Sequence, residues 1–398
     1  MTESSLSEPL PRAARFGTWS FFALNGFAIG MWVVHIPVVE RATGISHTTL
    51  GALLLVLGGA AFVGMQVSGP LADRFGHRRM VPAAGVLLGL SLVLPGLATN
   101  WWALGLSLVL VGFANGSLDV AMNAQAVVVE RAYPRPIMAA FHAMWSIGGA
   151  FAAVIGAAVL GAGVPTAVTL GAAGALLVVA SLVAGRMLLD GGPAEPEATE
   201  TAPVTPGRTP SRVVWLLGAV AFALMLAEGV ANDWAALHLQ DVLGTSTSTA
   251  ALAYGCFAVA MTVGRFATDR VAALAGPVAV VRYGSALAAV GLATASLSPW
   301  VPLALVGWAI FGLGLAGGVP QLFTAAGNLD TRASGALMAR VVGLGYVGLL
   351  AGPALIGGLT RWMPLNVAFA VPFALCLAAV AAAPVLAPAK VPEPAEVS

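Results

Sequence analysis

The chain has 398 residues, of which 59% are apolar and 9% are Asp, Glu, Lys or Arg, and its formal net charge is +1. Soluble proteins carry about 25% charged residues because water wets most of their surface. This composition therefore excludes a soluble enzyme, a nucleic-acid-binding protein and a disordered protein. The mean hydropathy of +0.91 indicates a protein that crosses a membrane several times. The two cysteines lie far apart in apolar stretches, so we expect neither a disulfide nor a metal site.

Twelve apolar stretches follow one another along the chain. A helix crosses the ~30 Å hydrocarbon core with about 20 apolar residues, and these stretches are apolar all round, as a bundle that faces lipid requires. The apolar run after Phe16 is too long for a cleaved signal peptide, so we expect it to be the first span. The predicted spans are 16–39, 49–72, 80–98, 102–127, 137–160, 165–188, 213–236, 248–268, 278–298, 301–326, 335–358 and 366–387.

The basic residues are distributed unevenly between the two sides of this arrangement. With the N-terminus inside, sixteen of the eighteen Lys and Arg residues, Arg265 among them, fall on cytoplasmic loops or at cytoplasmic helix ends. Arg41 and Arg361 fall outside. Cytoplasmic loops carry an excess of Lys and Arg. We therefore expect a multi-pass protein of the cytoplasmic (inner) membrane with both termini in the cytoplasm.

A polar segment divides the spans into two groups of six. Residues 190–212 are rich in Pro, Glu and Thr and cannot form a core, so we expect a cytoplasmic linker there. The predicted organisation is a cytoplasmic tail, a six-helix bundle, the linker, a second six-helix bundle and a second cytoplasmic tail, at 1–15, 16–189, 190–212, 213–388 and 389–398.

The two groups share a short sequence pattern at matching positions. The loop after the second span begins Gly69-Pro-Leu-Ala-Asp73-Arg74, and the loop after the eighth reads Gly264-Arg-Phe-Ala-Thr-Asp269-Arg270. Repeated halves are the architecture of secondary transporters, whose solute site lies near the midplane between the halves. We expect such a site to be lined by spans 1, 4, 5, 7, 10 and 11.

The first of these loops carries a recognisable motif. The run Gly69-Pro-Leu-Ala-Asp73-Arg74-Phe-Gly76-His-Arg78-Arg79 resembles the G-x-L-A-D-R-x-G-R-R signature of the major facilitator superfamily. A glycine lets two helix backbones approach closely, an aspartate suits the positive N-terminus of a neighbouring helix, and arginines suit acids or anionic headgroups.

That resemblance implies an all-α membrane protein with the major facilitator fold, in which twelve transmembrane helices form two pseudo-symmetric six-helix halves. It also implies a secondary transporter and not an enzyme, with a cytoplasmic gate between the halves. The residues that would form this gate are Gly69, Asp73, Arg74, Gly76, Arg78, Arg79, Asp269 and Arg270.

Four further segments resemble the fucose–proton symporter branch of that superfamily. They are Gly112–Asn123 in span 4, Phe141–Gly148 in span 5, Glu228 with Trp234 in span 7, and Gly318–Phe323 in span 10. The sugar symporters of that branch carry an acid in span 1, which this chain lacks, so the solute and the coupling scheme stay open. The Gly-Pro-x-x-Gly-Gly pattern of proton-coupled drug antiporters has no counterpart in span 5, where Gly148-Gly149 has no preceding proline.

Asp119 is the main candidate for carrying a coupling proton. It lies near the middle of span 4, and Asn115 and Asn123 share its helix face at i−4 and i+4. Burial disfavours a charged carboxyl group, so this side chain could bind and release a proton as a cavity alternates between the two sides. The alternative role is a structural hydrogen bond to a neighbouring helix.

The other candidates are polar or aromatic side chains within the spans, where ionisable groups are rare and often functional. Those predicted to take part in proton coupling, with Asp119, are Glu228 and His142. Those predicted to bind the solute are Asn25, His35, Asn115, Asn123, Trp145, Asn232, Trp234 and Gln321.

The sequence therefore predicts a proton-coupled transporter that moves a small polar solute, a sugar or a related metabolite, by alternating access. Its expected partners are the solute, protons and membrane lipid, with no nucleic acid, no cofactor and a monomeric state. One alternative is a proton-coupled efflux antiporter for drugs or amphipathic metabolites. A second is a membrane-embedded enzyme, such as an acyltransferase, that uses His142 or His35 with Asp119.

Overall fold

The chain folds into long helices joined by short connections. The structure is a computed structural model that describes residues 11–45, 47–189, 211–245, 247–330 and 334–387. Within these ranges no residue is in a β-strand, as expected where lipid cannot satisfy unpaired backbone groups. The predicted all-α fold is confirmed.

The predicted tails and linker fall mostly beyond the part of the chain that the structure describes. Nearly all of the linker over 190–212, all of the tail over 389–398 and residues 1–10 of the first tail lie outside it. The first helix begins at Arg12, inside the predicted tail, because a terminal turn with basic residues can extend past the apolar core.

In the described residues, the first half has six long helices, one for each predicted span, and a short helix, Leu94–Leu97, that follows the third. The long helices are α1 (Arg12–Thr43), α2 (His47–Phe75), α3 (His77–Leu92), α4 (Trp101–Arg131), α5 (Met138–Gly161) and α6 (Thr166–Ala184). A short 3₁₀ turn, Gly185–Met187, continues α6.

The second half has the same number of spans but more interruptions. Its helices are α7 (Ser211–Leu237, continued by the π turn His238–Val242), α8 and α9 (together Thr247–Leu297), α10 (Val301–Leu315 and Gly318–Asn328), α11 (Ser334–Leu359) and α12 (Leu365–Ala368 and Ala370–Ala382).

Gly276 separates α8 from α9 within a continuous helical run. Its φ of 80° and ψ of 165° are not helical, and a glycine adopts a positive φ at little cost. The apolar run Leu252–Leu297 has 46 residues, which at ~1.5 Å per residue is about twice the thickness of the hydrocarbon core. The eleven apolar helical runs of the described residues therefore correspond to twelve spans.

Close helix pairs repeat between the halves. In the first half, a side chain at Gly26 of α1 would collide with the α5 backbone, and one at Gly116 of α4 would collide with the α2 backbone. In the second half, Gly348 of α11 lies equally close to α7, and Gly312 of α10 to α8. Small residues permit such backbone approach in membranes. The equivalent pairings α1–α5 with α7–α11, and α2–α4 with α8–α10, confirm the two-half architecture.

The halves meet along α2 with α11 and α5 with α8. We call the end of the bundle that carries the Gly69–Arg79 loop the motif end, and the other end the opposite end. At the motif end, Gly69 and Gly335 are so close that a Cβ atom on either would lie within 2.5 Å of the other's carbonyl oxygen.

Candidate functional site

Three polar side chains from three helices meet inside the first half. Asn25 of α1 is buried, and its Nδ2 donates a hydrogen bond to Asn115 Oδ1 of α4 at 2.8 Å. The indole Nε1 of Trp145 of α5 donates to Asn25 Oδ1 at 2.7 Å. The Trp145 side chain is 36% exposed. Amide groups beside a flat aromatic ring can bind hydroxyl groups and the apolar face of a small solute.

Asp119 lies one turn further along α4 and is 6% exposed. Asn123 donates to its backbone oxygen at 2.8 Å and approaches its Oδ1 at 3.5 Å. The hydroxyl of Tyr346, on α11, approaches the same carboxyl group from the other half. Asp119 Oδ2 is buried, and among the described residues no hydrogen-bond donor reaches it. Asp119 is therefore a buried acid at the contact between the halves.

An ion pair lies beside this acid. Arg265 of α8 is buried, and its Nη2 lies 3.6 Å from Glu228 Oε1 of α7. Its Nη1 donates to the hydroxyl of Ser146, on α5, at 2.6 Å. Tyr346 is close enough to interact electrostatically with both Asp119 and Glu228. The two acids thus belong to one polar region that joins α4, α5, α7, α8 and α11.

The position of Arg265 corrects the sequence-based expectation. Its side chain does not lie at a helix end among headgroups, because it reaches Ser146, which is eight residues and about 12 Å into α5. Because Arg265 was expected at a helix end, α8 was not among the spans predicted to line the site. Arg265 is a charge within an apolar run, which could have identified it as a site residue. It was instead assigned to a loop, because Gly264–Arg270 resembles the loop motif. Tyr346 and Ser146 are uncharged and gave no such signal.

His142 faces aromatic rings from both halves. Its ring centroid lies 5.2 Å from that of Phe22, on α1, and 5.7 Å from that of Phe323, on α10. Its Nε2 is buried without a hydrogen-bond partner among the described residues, and Arg265 is near enough to interact with it electrostatically. His142 is therefore next to the ion pair and packed between aromatic side chains, although its side chain is only partly buried.

The predicted residues at the far end of α7 have different surroundings. Asn232 is exposed. The indole Nε1 of Trp234 donates to the carbonyl oxygen of Pro353, on α11, at 3.3 Å. This nitrogen therefore joins two helices of the second half. Asp233, beside Asn232, interacts electrostatically with Tyr254 of α8, as Glu228 also does, so polar side chains continue from the ion pair towards the opposite end.

His35 and Gln321 lie apart from the polar region. The Nδ1 of His35 donates to the carbonyl oxygen of Met31 in the same helix at 2.7 Å, which is a local contact within α1. Gln321 is buried in α10 and lines a motif-end cavity of about 550 Å³ with Glu130, Arg131 and Thr324.

Each half supplies one aspartate that caps a helix of the other half at the motif end. Asp73, in the last turn of α2, accepts backbone hydrogen bonds at 2.7 and 2.8 Å from Gly335–Ala336, in the first turn of α11. Asp269 of α8 accepts two at 2.8 Å from Ala139–Ala140, in the first turn of α5. The first N–H groups of a helix lack intrahelical partners and carry partial positive charge, so a carboxylate stabilises them.

Further hydrogen bonds join the halves at this end. Glu130 Oε1 accepts from the backbone of Ile137 and Met138 at 2.9 and 3.0 Å, and its Oε2 accepts from Thr324 of α10 at 2.7 Å. Arg131 donates to Asn328 Oδ1 at 2.6 Å. These two residues were not among the predicted site residues, since they end a span and resemble ordinary helix-end charges.

The remaining motif residues surround this contact. Gly76 adopts a φ of 85° and makes the turn between α2 and α3. Four arginines of the two loops are exposed, namely Arg74, Arg78, Arg79 and Arg270.

Comparison with protein families finds a match over most of the chain. The model of the major facilitator superfamily matches residues 18–339. An uncharacterized MFS-type transporter of Yersinia pestis is 34% identical over 348 residues, which are 87% of this chain and 89% of that protein. An uncharacterized transporter of Sinorhizobium fredii is 32% identical over 357 residues, or 89% of this chain and 93% of that protein.

Solved structures agree with this family. The crystal structure of FucP in the outward conformation, the fucose:proton symporter of E. coli, has a TM-score of 0.77 with 13% identity and covers 94% of this chain and 98% of that chain. The fold resemblance to that branch is confirmed, and the family and its structural neighbours leave no support for a membrane-embedded enzyme. The chain belongs to the major facilitator superfamily and is a multi-pass membrane transporter.

Proposed function

We propose that the protein is a proton-coupled secondary active transporter that moves a small polar solute across the cytoplasmic membrane by alternating access. The observation that carries this proposal is the polar region in which Asp119 meets Tyr346, and Arg265 meets Glu228 and Ser146. Ionisable groups inside a membrane protein commonly lie on ion or proton pathways. Here they also join the two halves, so their protonation can be coupled to the relative motion of the halves.

The coupling follows from the charges. A proton on Glu228 removes the attraction that holds its carboxylate 3.6 Å from the Arg265 guanidinium, and a proton on Asp119 changes its contact with Tyr346 from charged to neutral. Both changes weaken contacts within the polar region, the first between Glu228 and Arg265 and the second between Asp119 and Tyr346. Burial penalises the charged carboxylates, so a proton that enters from one side and leaves on the other can alternate the strength of these contacts.

The solute would bind beside the acids. Asn25, Asn115 and Trp145 provide amide groups and an aromatic surface, and Asn115 lies one helical turn from Asp119. These groups suit a hydroxyl-rich solute such as a sugar or a related metabolite. We expect the motif end, with its gating residues, to face the cytoplasm because most Arg residues lie on that side, and we expect the transporter to work as a monomer.

The test uses the purified full-length chain in proteoliposomes that enclose a pH-sensitive dye. Addition of L-fucose or D-xylose outside should make the lumen more acidic if the sugar enters with a proton. Asp119→Asn should abolish this acidification, whereas Asp241→Asn, which changes an exposed acid near the opposite end, should leave it intact.

Other outcomes would change the proposal. If ethidium moves against an imposed proton gradient while the sugars cause no pH change, the protein is the efflux antiporter considered from the sequence. If Asp119→Asn transports sugar and protons like the unaltered protein, Asp119 does not carry the coupling proton.

A further inference from the structure

A cavity lined by three arginines lies on the side of the first half, away from the polar region between the halves. It has a volume of about 410 Å³, and its lining consists of Arg78, Arg79 and Pro82 from the start of α3, with Leu182, Gly185 and Arg186 from the end of α6. No acidic residue is among the described residues that line it. Three guanidinium groups with an apolar wall match the junction between a phosphate headgroup and its acyl chains.

Positive charge is concentrated at the start of α3. Arg78 and Arg79 stand in the first turn of α3, which holds no acidic residue and has no side-chain cap. A helix N-terminus carries partial positive charge, which favours an anion nearby. Guanidinium groups bind phosphate with paired N–H donors, so the cavity combines two features that favour a phosphate group.

The fold itself does not require these arginines. Gly76 and Gly276 make equivalent turns, with φ values of 85° and 80°, before α3 and α9. Counting from each glycine, Val278 and Ala279 stand where the first half has Arg78 and Arg79. The 3₁₀ turn Ala383–Leu386 that ends α12 likewise contains no cation. The positive cavity is therefore specific to the first half.

The surroundings of the cavity favour a lipid as the source of the phosphate. Apolar side chains of both helices are more than half exposed, namely Leu90 of α3 and Val179, Leu182 and Val183 of α6. Both helices therefore present apolar side chains on the outer surface of the bundle. Basic pockets between transmembrane helices bind anionic headgroups. We infer that the Arg78–Arg79–Arg186 cavity binds the phosphate headgroup of an anionic phospholipid, whose acyl chains follow the apolar surface of α3 and α6.

Native mass spectrometry of the full-length protein, released from detergent with added lipid, tests this site. Phosphatidylglycerol should remain bound and phosphatidylcholine with the same acyl chains should not. Replacement of Arg78, Arg79 and Arg186 by Gln should lower the apparent affinity for phosphatidylglycerol by about tenfold or more, and replacement of all three by Lys should retain most of it.

A matched control removes three other exposed cations. Arg12, Arg212 and Arg340 are exposed and lie outside the cavity, and their replacement by Gln changes the net charge equally. This triple variant should bind phosphatidylglycerol within about twofold of the unaltered protein, since its cations are not in the cavity. Equal losses in the two Gln variants, or equal binding of the two lipids, would overturn the proposal.

A separate measurement distinguishes lipid from free phosphate. If inorganic phosphate at millimolar concentration raises the Tm of the unaltered protein, and not that of the triple Gln variant, as much as phosphatidylglycerol does, the ligand is free phosphate and the lipid assignment is wrong. Under our proposal, inorganic phosphate leaves the Tm unchanged at that concentration.

Discussion

Arg265 is held inside the membrane by partners on two other helices. An ionised residue at the centre of a membrane helix costs about 2.5–3.5 kcal/mol on insertion scales, and Arg stays charged at any physiological pH. The charge persists here because Glu228 lies 3.6 Å away and Ser146 accepts a hydrogen bond. The Nε of Arg265 is buried without a partner among the described residues. The stabilisation of its charge therefore depends mainly on Glu228 and Ser146.

The first prediction is a double-mutant cycle on this pair. Arg265→Met leaves Glu228 without its cation, and Glu228→Gln leaves Arg265 without its anion. Each single variant should unfold at a lower temperature in detergent than the double variant, because an unpaired buried charge costs more than the loss of the pair. The coupling free energy should lie within about 0.5–3 kcal/mol, towards the low end because Glu228 is partly exposed. Additive effects of the two substitutions would show that the pair contributes nothing.

The same residues show how much of the candidate site can be predicted from sequence. Asp119 and Glu228 are conspicuous in the sequence because each is an acid within an apolar run. Asn25, Asn115 and Trp145 were all predicted to bind the solute, and in the structure they are joined by hydrogen bonds. Pairing between helices cannot be read from one sequence. Arg265 was therefore assigned to a helix end, and the neutral Tyr346 was missed although it approaches Asp119.

At the scale of helices, lipid makes the length of an apolar run decisive, which is why all twelve spans were predicted. The interruptions within the helices were harder to predict from the sequence. The break between α8 and α9 was expected, because the predicted spans 248–268 and 278–298 are separate. The break in α10 between Leu315 and Gly318 and the π turn His238–Val242 were not expected. Such breaks depend on which neighbouring helices can satisfy the freed backbone groups.

The second prediction concerns a close backbone contact between α2 and α11, which belong to different halves. Gly69→Ala places a Cβ atom 2.5 Å from the carbonyl oxygen of Gly335 and 2.7 Å from Ala339 Cβ. Because both obstacles belong to α11, α2 and α11 must separate at the motif end. Gly59→Ala is the matched control on α2, since a Cβ atom there meets nothing within 4 Å.

The separation of α2 from α11 at the motif end can be measured by maleimide labelling of an Ala139→Cys variant. In this variant the two native cysteines, Cys256 and Cys376, are replaced by Ala. Ala139 is fully buried and its backbone binds Asp269, so the cysteine should react slowly while the motif end is closed. Gly69→Ala should raise the labelling rate and Gly59→Ala should not. Equal rates in all three proteins would mean that this glycine contact does not hold the motif end closed.

At the scale of the whole molecule, the two aspartate caps are symmetric and act on the same end. Asp73 holds α11 and Asp269 holds α5, each through two backbone hydrogen bonds. The described inter-half hydrogen bonds lie at this end and in the central polar region, whereas Asn232 and Tyr254, nearer the opposite end, are exposed. We therefore expect a resting state that is open at the opposite end.

The third prediction follows from the free energy of these caps. Replacement of either aspartate by Asn removes the charge and one of the two accepted hydrogen bonds, which costs about 1–2 kcal/mol. Asp73→Asn together with Asp269→Asn should therefore shift the ratio of the two states by about 30- to 700-fold towards the state open at the motif end. A cysteine at Asn232 should then react more slowly with a maleimide confined to the opposite side, and the cysteine at position 139 faster with one confined to the motif side. Each single variant should produce a smaller shift in the same direction, because the remaining cap still holds one helix pair. Asp241→Asn changes an exposed acid that caps neither α5 nor α11, so it should move neither rate. If the double variant changed one rate alone, opening of the two ends would not be linked and a rocking motion of two rigid halves would be wrong for this protein.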